Sequence, residues 1–278
     1  MTAGGHGEHA EAVGGPAPAD SWSSGQSYES YVGRWSRLVA TEFLAWPDTP
    51  AGGRWLDVGC GTGALTDAVL RSCEPSAIVG VEPSDAFRGH AADHLRDARV
   101  AFVAGGAEAL PFDDGSFDFV VSGLVLNFVP HRVAGLREMR RVVRPGGTVA
   151  AYVWDYPGEM QLLKYFWDTA VSRDPAAGPL HEGARFGFCR PEPLRALFTD
   201  ADLRDVEVRG LVVPVDFADF DDYWTPFLRG TGPAPAYAMS LSDADRAALR
   251  ETLRARLSSD DDGSIHLSAR AWAIRGSA

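Results

Sequence analysis

Trp55-Leu56-Asp57-Val58-Gly59-Cys60-Gly61-Thr62-Gly63-Ala64 is the stretch that decides how this chain folds. Arg54 to Val58 is a short apolar run, read as a strand, and three glycines follow it within five residues. Glycines there let the backbone turn sharply and approach a ligand. The next segment has helical spacing through Leu65, Val69 and Leu70, so its first free N–H groups face the same place. Read loosely as GxGxxA, the turn also fits a dinucleotide fingerprint, and Glu82, after the next apolar run, stands where an acid takes ribose hydroxyls. Asp57 opposes a pyrophosphate, because a carboxylate two residues before Gly59 repels phosphate and attracts an ammonium group. It can also serve as an ordinary helix-cap acceptor.

Working outward, strands and helices alternate. Strands are expected at Ala77 to Val81, Val100 to Ala104, Phe117 to Ser122 and Thr148 to Trp154, and helices at Ser84 to Arg96 and Val133 to Val143. That rhythm requires right-handed crossovers and a doubly wound, mostly parallel sheet covered on both faces. Before it, Tyr31 to Trp46 has helical spacing; after it, helices are expected at Glu159 to Val171, Arg190 to Asp202 and Ser242 to Leu257. Further strands are expected at Val206 to Val215 and Ile265 to Ile274. Residues 1–26 are rich in Gly, Ala, Ser and Pro, and are read as a disordered tail. Residues 27–278 are read as one domain, with a core at 50–155 and cap insertions at about 156–189 and 216–258.

The motifs DVGCGTG, VGVEPS, GAEALPF, FDFVVSGLVLNFV and RPGGTVAAYVW follow one another in fixed order. In these the chain resembles the class I S-adenosylmethionine-dependent methyltransferases, in the branch similar to ubiquinone and menaquinone biosynthesis enzymes (methyltransferase type 11). The resemblance spans about Tyr31 to Trp154. It implies an α/β Rossmann-like fold of seven strands with an antiparallel last strand, and S-adenosylmethionine as cofactor with S-adenosylhomocysteine as product. It also implies roles by position. Asp57, Gly59, Gly61 and Gly63, with Cys60 between them, would hold the methionine part. Glu82 would hold the ribose and Pro83 one adenine face, while Ala107 and Glu108 would border the adenine edge. Ser122, Gly123 and Leu124 would floor the sulfonium, and a helix bearing Tyr31, Arg34 and Trp35 would close over the cofactor; those three side chains simply packing the helix on the sheet is the plain alternative. Gly106 departs from the family, which often has an acid there to accept from the adenine amino group.

Methyl transfer asks mainly for alignment and the exclusion of water. His131, Asp155 and Tyr156 lie after strands four and five, at the sheet edge where ligands bind, and are the candidate catalytic groups; solvated turns are the plain alternative for each. Asn127 stands where relatives often have His. With Trp154, Phe166, Trp224 and Tyr237 it forms the candidate substrate-binding set, the aromatics offering large apolar area with a polar tip. A cap core of its own is the alternative for those rings.

The chain has 278 residues, with 26 basic against 38 acidic and a net charge of -12. It has no basic run for nucleic acid and no apolar stretch of transmembrane length. No signal-peptide pattern opens it, so a cytoplasmic protein is expected. Lys164 is its only lysine, which fits a GC-rich bacterial source. Cys60, Cys73 and Cys189 suit neither a disulfide framework nor a metal site. The expected partner is a small molecule, with no metal and an oligomeric state left open. The sequence thus points to methyl transfer onto O, N or C of a small, partly apolar or aromatic molecule. Two rivals remain: a protein of the same fold that cyclises or only binds, and a nicotinamide-dependent oxidoreductase.

Overall fold

Strands β1 (Arg54–Val58), β2 (Ala77–Val81), β3 (Val100–Val103), β4 (Phe117–Gly123), β5 (Val143–Trp154), β6 (Arg204–Phe217) and β7 (Ile265–Ser277) form one sheet in the order β3-β2-β1-β4-β5-β7-β6. Pairing is parallel from β3 through β5, and β7 runs antiparallel to both of its neighbours. The structure is a computed structural model and describes residues 33–46, 51–229 and 232–278. The expected tail and Tyr31 lie outside the described residues.

Side chains alternate across each strand, so one strand feeds two cores. On β5, Ala150, Tyr152 and Trp154 join the core that faces helix α1 (Arg34–Leu44) and helix α2 (Ala64–Ser72). Val149, Ala151 and Val153 join the opposite core, under helices Arg132–Val142 and Pro191–Asp200. Both faces are covered, which is why the central strands read as nearly continuous apolar runs. Strand β5 begins five residues earlier than its apolar pattern predicts. Val143 pairs with Phe117 before an irregularity, and the Thr148 register resumes opposite Phe119. The glycines at 146 and 147 lack the side chains that would have marked those positions as strand.

Helices α3 (Asp85–His94), α4 (Arg132–Val142), α5 (Gln161–Arg173), α6 (Glu182–Arg185), α7 (Pro191–Asp200), α8 (Phe220–Trp224), α9 (Pro233–Ser240) and α10 (Asp243–Arg256) complete the described helices, with short 3-10 turns between some of them. Ser84 and Ser242 cap α3 and α10, accepting from Phe87 and Asp245. Most of the 156–189 and 216–258 segments packs on the face shared with α1, while Phe186 and Cys189 join the opposite core. Their aromatic rings mostly meet one another: Phe166 stacks on Phe227 at 4.5 Å, and Tyr223 packs against Phe217 at 5.2 Å and donates to the Leu162 carbonyl. Sequence placed Phe166, Trp224 and Trp154 at the substrate; the structure buries all three in the core. Rings of that size lower their free energy more by covering each other than by facing an open cleft.

Phe166→Ala removes a fully buried ring and should cost about 3–5 kcal/mol in urea unfolding.

Candidate active site

Strand order reverses at β1, whose neighbours β2 and β4 are reached by crossovers in opposite directions, and a crevice opens there at the C-terminal edge. A cavity of about 350 Å³ occupies it. The glycine turn forms its floor. Gly59 and Cys60 donate N–H bonds to the Val81 carbonyl, at 2.8 and 3.0 Å, which ties the turn to the end of β2. Gly61 has φ of 53°, and a Cβ added there would meet nothing within 4 Å. The protein therefore leaves the space above this residue open.

Asp57 is fully buried at the end of β1. Its Oδ2 accepts from the Thr66 hydroxyl at 2.7 Å, while its Oδ1 is buried without a hydrogen-bond partner. Burial outweighs the Thr66 hydrogen bonds and pushes the carboxyl up from 3.8 to about 7. Glu82 is held differently: Oε2 accepts from Gly61 N–H at 3.1 Å and Oε1 from Ser84 N–H at 2.9 Å. Each oxygen keeps a further lone pair for a hydroxyl. Burial raises its pKa as well, against those N–H groups and nearby Arg88. Glu108 also borders the cavity, with Oε1 accepting from His131 N–H at 2.7 Å.

Of the sequence-predicted cofactor residues, Asp57, Gly59, Cys60, Gly61, Glu82, Pro83, Gly106, Ala107, Glu108, Gly123 and Leu124 border this cavity. Gly63 and Ser122 do not: Gly63 caps α2, and the Ser122 hydroxyl donates to the Val58 carbonyl at 2.8 Å beneath the floor. Arg34 turns away, its guanidinium over Trp35 and Phe217 and 3.3 Å from Asp222, so it joins α1 to the cap and does not clamp a ligand.

The catalytic assignments need correction. Asp155 is buried and takes Arg270 Nη2 at 2.6 Å and Nε at 2.9 Å on one oxygen, with Glu159 N–H at 3.1 Å. That carboxylate fastens β5 to β7. Tyr156 packs against Phe186, 5.1 Å between ring centres, and lies off the cavity. His131 is exposed at the start of α4 and serves through its backbone. Asn127 is buried with both amide atoms unpartnered, yet it does not border the cavity, and neither does Tyr237, which packs on Trp167 at 5.5 Å.

Residues that sequence missed also line the site. Ser36 enters from α1, Phe87 from the first turn of α3, and Val125, Phe128 and Pro130 from the segment after β4. Tyr152 enters from β5. A tyrosine among the apolar residues of TVAAYVW was a readable sign, since a buried phenol needs a partner. Among the described residues no group of His, Cys, Asp and Glu is placed to hold a metal, and no helix is long and apolar enough to cross a membrane.

A cofactor with an ammonium, a diol and a flat base fits these residues. The orphaned Asp57 Oδ1 awaits a donor, Glu82 has lone pairs for a diol, and Pro83 and Phe87 offer flat apolar surface. Three carboxylates and no basic side chain border the cavity among the described residues, which suits a cation and opposes a pyrophosphate.

Residues 56–151 match the family described as methyltransferase domain. The chain is 35% identical over 182 residues to the demethylmenaquinone methyltransferase of Roseiflexus castenholzii, covering 62% of this chain and 75% of that one. A Haemonchus contortus phosphoethanolamine N-methyltransferase, solved with S-adenosylhomocysteine, superposes with a TM-score of 0.55 at 17% identity, over 91% of this chain and 56% of that one. The 4+2 cyclase SpnF superposes at 0.51 and 22% identity, over 88% and 80%. These two structural likenesses show the fold alone.

The Asp57 carboxyl favours its protonated form in the folded chain, so its contribution to stability is fully present below pH 3.8 and lost as pH rises through about 7. A ligand ammonium favours the ionised form. Binding of S-adenosylhomocysteine at pH 6 should therefore release a proton, seen as a titration enthalpy that varies with buffer. Asp57→Asn should abolish that variation and weaken binding roughly tenfold to a hundredfold, the equivalent of about 1.5–3 kcal/mol. His131→Ala should leave both affinity and turnover unchanged, since only its backbone is engaged.

Proposed function

The chain belongs to the S-adenosylmethionine-dependent methyltransferases, in the methyltransferase-domain family, and from that premise we propose that the cleft at the ends of β1 and β4 holds the methyl donor and opens onto a small, partly apolar aromatic acceptor. Bound there, S-adenosylmethionine supplies a methyl group on a sulfonium for in-line displacement. The observation that carries the assignment is the acidic cleft with the orphaned Asp57 oxygen.

Asp57 Oδ1 takes the ammonium of the amino-acid part, while the Thr66 hydroxyl holds the other carboxylate oxygen. Glu82 accepts the two ribose hydroxyls, its rotamer already set by the N–H groups of Gly61 and Ser84. Preorganisation of this kind saves the entropy of ordering the carboxylate on binding. Pro83 and Phe87 cover one side of the base, with Gly106 to Glu108 along its edge. Gly106 brings no side chain to the adenine amino group, so backbone groups and Glu108 are left to recognise it. Ser36 from α1 and Phe128 from the 3-10 turn Leu126–Phe128 narrow the cleft and exclude water.

An apolar acceptor is supported by the walls formed by Leu124, Val125 and Phe128, and by relatives named for demethylmenaquinone. No imidazole borders the cleft among the described residues, so alignment and not strong general-base catalysis is the main contribution to rate.

Two measurements test this reading. Incubation with methyl-labelled S-adenosylmethionine and a panel of aromatic alcohols and quinols should give a labelled small molecule; S-adenosylhomocysteine binding with no transfer across the panel would contradict the acceptor class. Gly61→Val should abolish S-adenosylhomocysteine binding, both by filling the open space and by straining a backbone held at φ of 53°, while circular dichroism stays native. Retained micromolar affinity in that variant would contradict the placement of the cofactor.

A further inference from the structure

Five of the described glycines border the cleft, and they differ in what stands beside them. A Cβ at Gly59 would lie 2.6 Å from the Val125 side chain, one at Gly123 2.5 Å from the Tyr152 oxygen, and one at Gly105 3.0 Å from Val81. Those three are packed. Gly61 is open, but its positive φ belongs to the turn whose N–H reaches Glu82. Gly106 is a different case. It is exposed, a Cβ there would meet nothing within 4 Å among the described residues, and its φ lies outside the left-handed region. Neither backbone geometry nor a described neighbour resists a side chain at this position, so what glycine contributes is room.

The rest of this wall is braced. Ala107 lies against α4, where a Cβ at Gly135 would meet its methyl at 3.5 Å. Glu108 Oε1 accepts from His131 N–H, and Leu110 N–H donates to Glu138 Oε2 at 2.9 Å. Arg141 of α4 donates to the carbonyls of Leu110 and Phe112, at 3.1 and 2.8 Å. The Gly106 carbonyl accepts from Ala109 N–H at 3.3 Å, which closes a short turn. The opening at 106 is therefore a gap in a fixed wall and not the play of a loose loop.

Strands β2 and β3 are neighbours, tied at this edge by Glu82 N–H on the Val103 carbonyl at 3.1 Å. A nucleoside with its ribose on Glu82 and its base across Pro83 and Phe87 turns its far edge to residues 105–108. Adenine joins ribose through its five-membered ring, so that far edge belongs to the six-membered ring, which carries the exocyclic amine.

We propose that Gly106 leaves a gap beside this amine, and that the cleft accepts S-adenosyl ligands whose exocyclic nitrogen carries an added alkyl or arylalkyl group. This rests on the methyltransferase reading of the cleft. A secondary amine keeps one N–H for a backbone carbonyl or Glu108, and the added group passes through the gap into solvent. Ribose and the faces of the base are held as before. Gly106 thus sets which donors the protein takes, since a side chain there would exclude the enlarged ligands by a clash while sparing the smaller one.

The test compares S-adenosylhomocysteine with the same molecule benzylated on the exocyclic amine, by titration calorimetry on the full chain. Wild type should bind the two with affinities within about fivefold of each other. Gly106→Ala and Gly106→Leu place side chains of rising size in the gap. The affinity ratio should shift against the benzylated ligand by about threefold in the alanine variant and by about tenfold or more in the leucine variant. Circular dichroism should stay native in both, because no described side chain packs on this residue. Stronger discrimination by wild type would overturn the proposal, and so would a ratio that Gly106→Leu leaves unchanged. Failure of wild type to bind S-adenosylhomocysteine at all would instead overturn the reading of the cleft itself, and this proposal with it.

Discussion

A carboxylate with one unpartnered oxygen, buried at the end of the central strand, is the constraint on which the rest of this site depends. Burying an ionised group without a partner is costly, and the Asp57 carboxyl responds by holding its proton to about pH 7. Thr66 satisfies one oxygen and leaves the other buried without a partner. A group kept in that state loses stability in the empty protein and gains it when a cation arrives. In the proposed cofactor site, that exchange would convert an unfavourable feature of the fold into ligand affinity.

The turn and the second carboxylate are built to serve that arrangement. The Val81 carbonyl receives two N–H groups of the turn, and Glu82 receives a third, so the end of β2 sets the shape of the loop that follows β1. Each bond is modest in water, but together they fix the backbone before a ligand arrives, and the cost of ordering falls on folding. The acidic lining then selects by sign of charge: it is compatible with a sulfonium cofactor and hostile to a pyrophosphate. A cyclase shares this fold at a TM-score of 0.51, so architecture alone does not choose the reaction. Membership in the methyltransferase family does.

The proposed donor end of the site was legible in sequence because its determinants are local. Asp57 lies near the end of β1, Gly59 and Gly61 in the turn after it, and Glu82 and Pro83 after the next strand, so the alternation of strands and helices brings them to one sheet edge, where they border one cavity. The acceptor end was not legible, because it depends on which side chains cross between elements. Asp155 follows β5 as a catalytic acid would, yet Arg270, 115 residues away, takes it into a structural ion pair. Phe166 and Trp224 have the composition of a substrate pocket, but ring-to-ring packing makes them a core. Tyr152 emerges only when β4 and β5 are in register and Gly123 is seen to leave room for it. Charge mattered in the same local sense: the net of -12 says little about the reaction, whereas three carboxylates in one cleft say a great deal.

A crystal structure of the chain with S-adenosylhomocysteine bears most directly on this account. The ligand's ammonium should lie about 3 Å from Asp57 Oδ1, with both ribose hydroxyls on Glu82, at hydrogen-bond distances usual for such groups. A nucleoside bound elsewhere on the chain, or an Asp57 oxygen still without a partner in the complex, would contradict it.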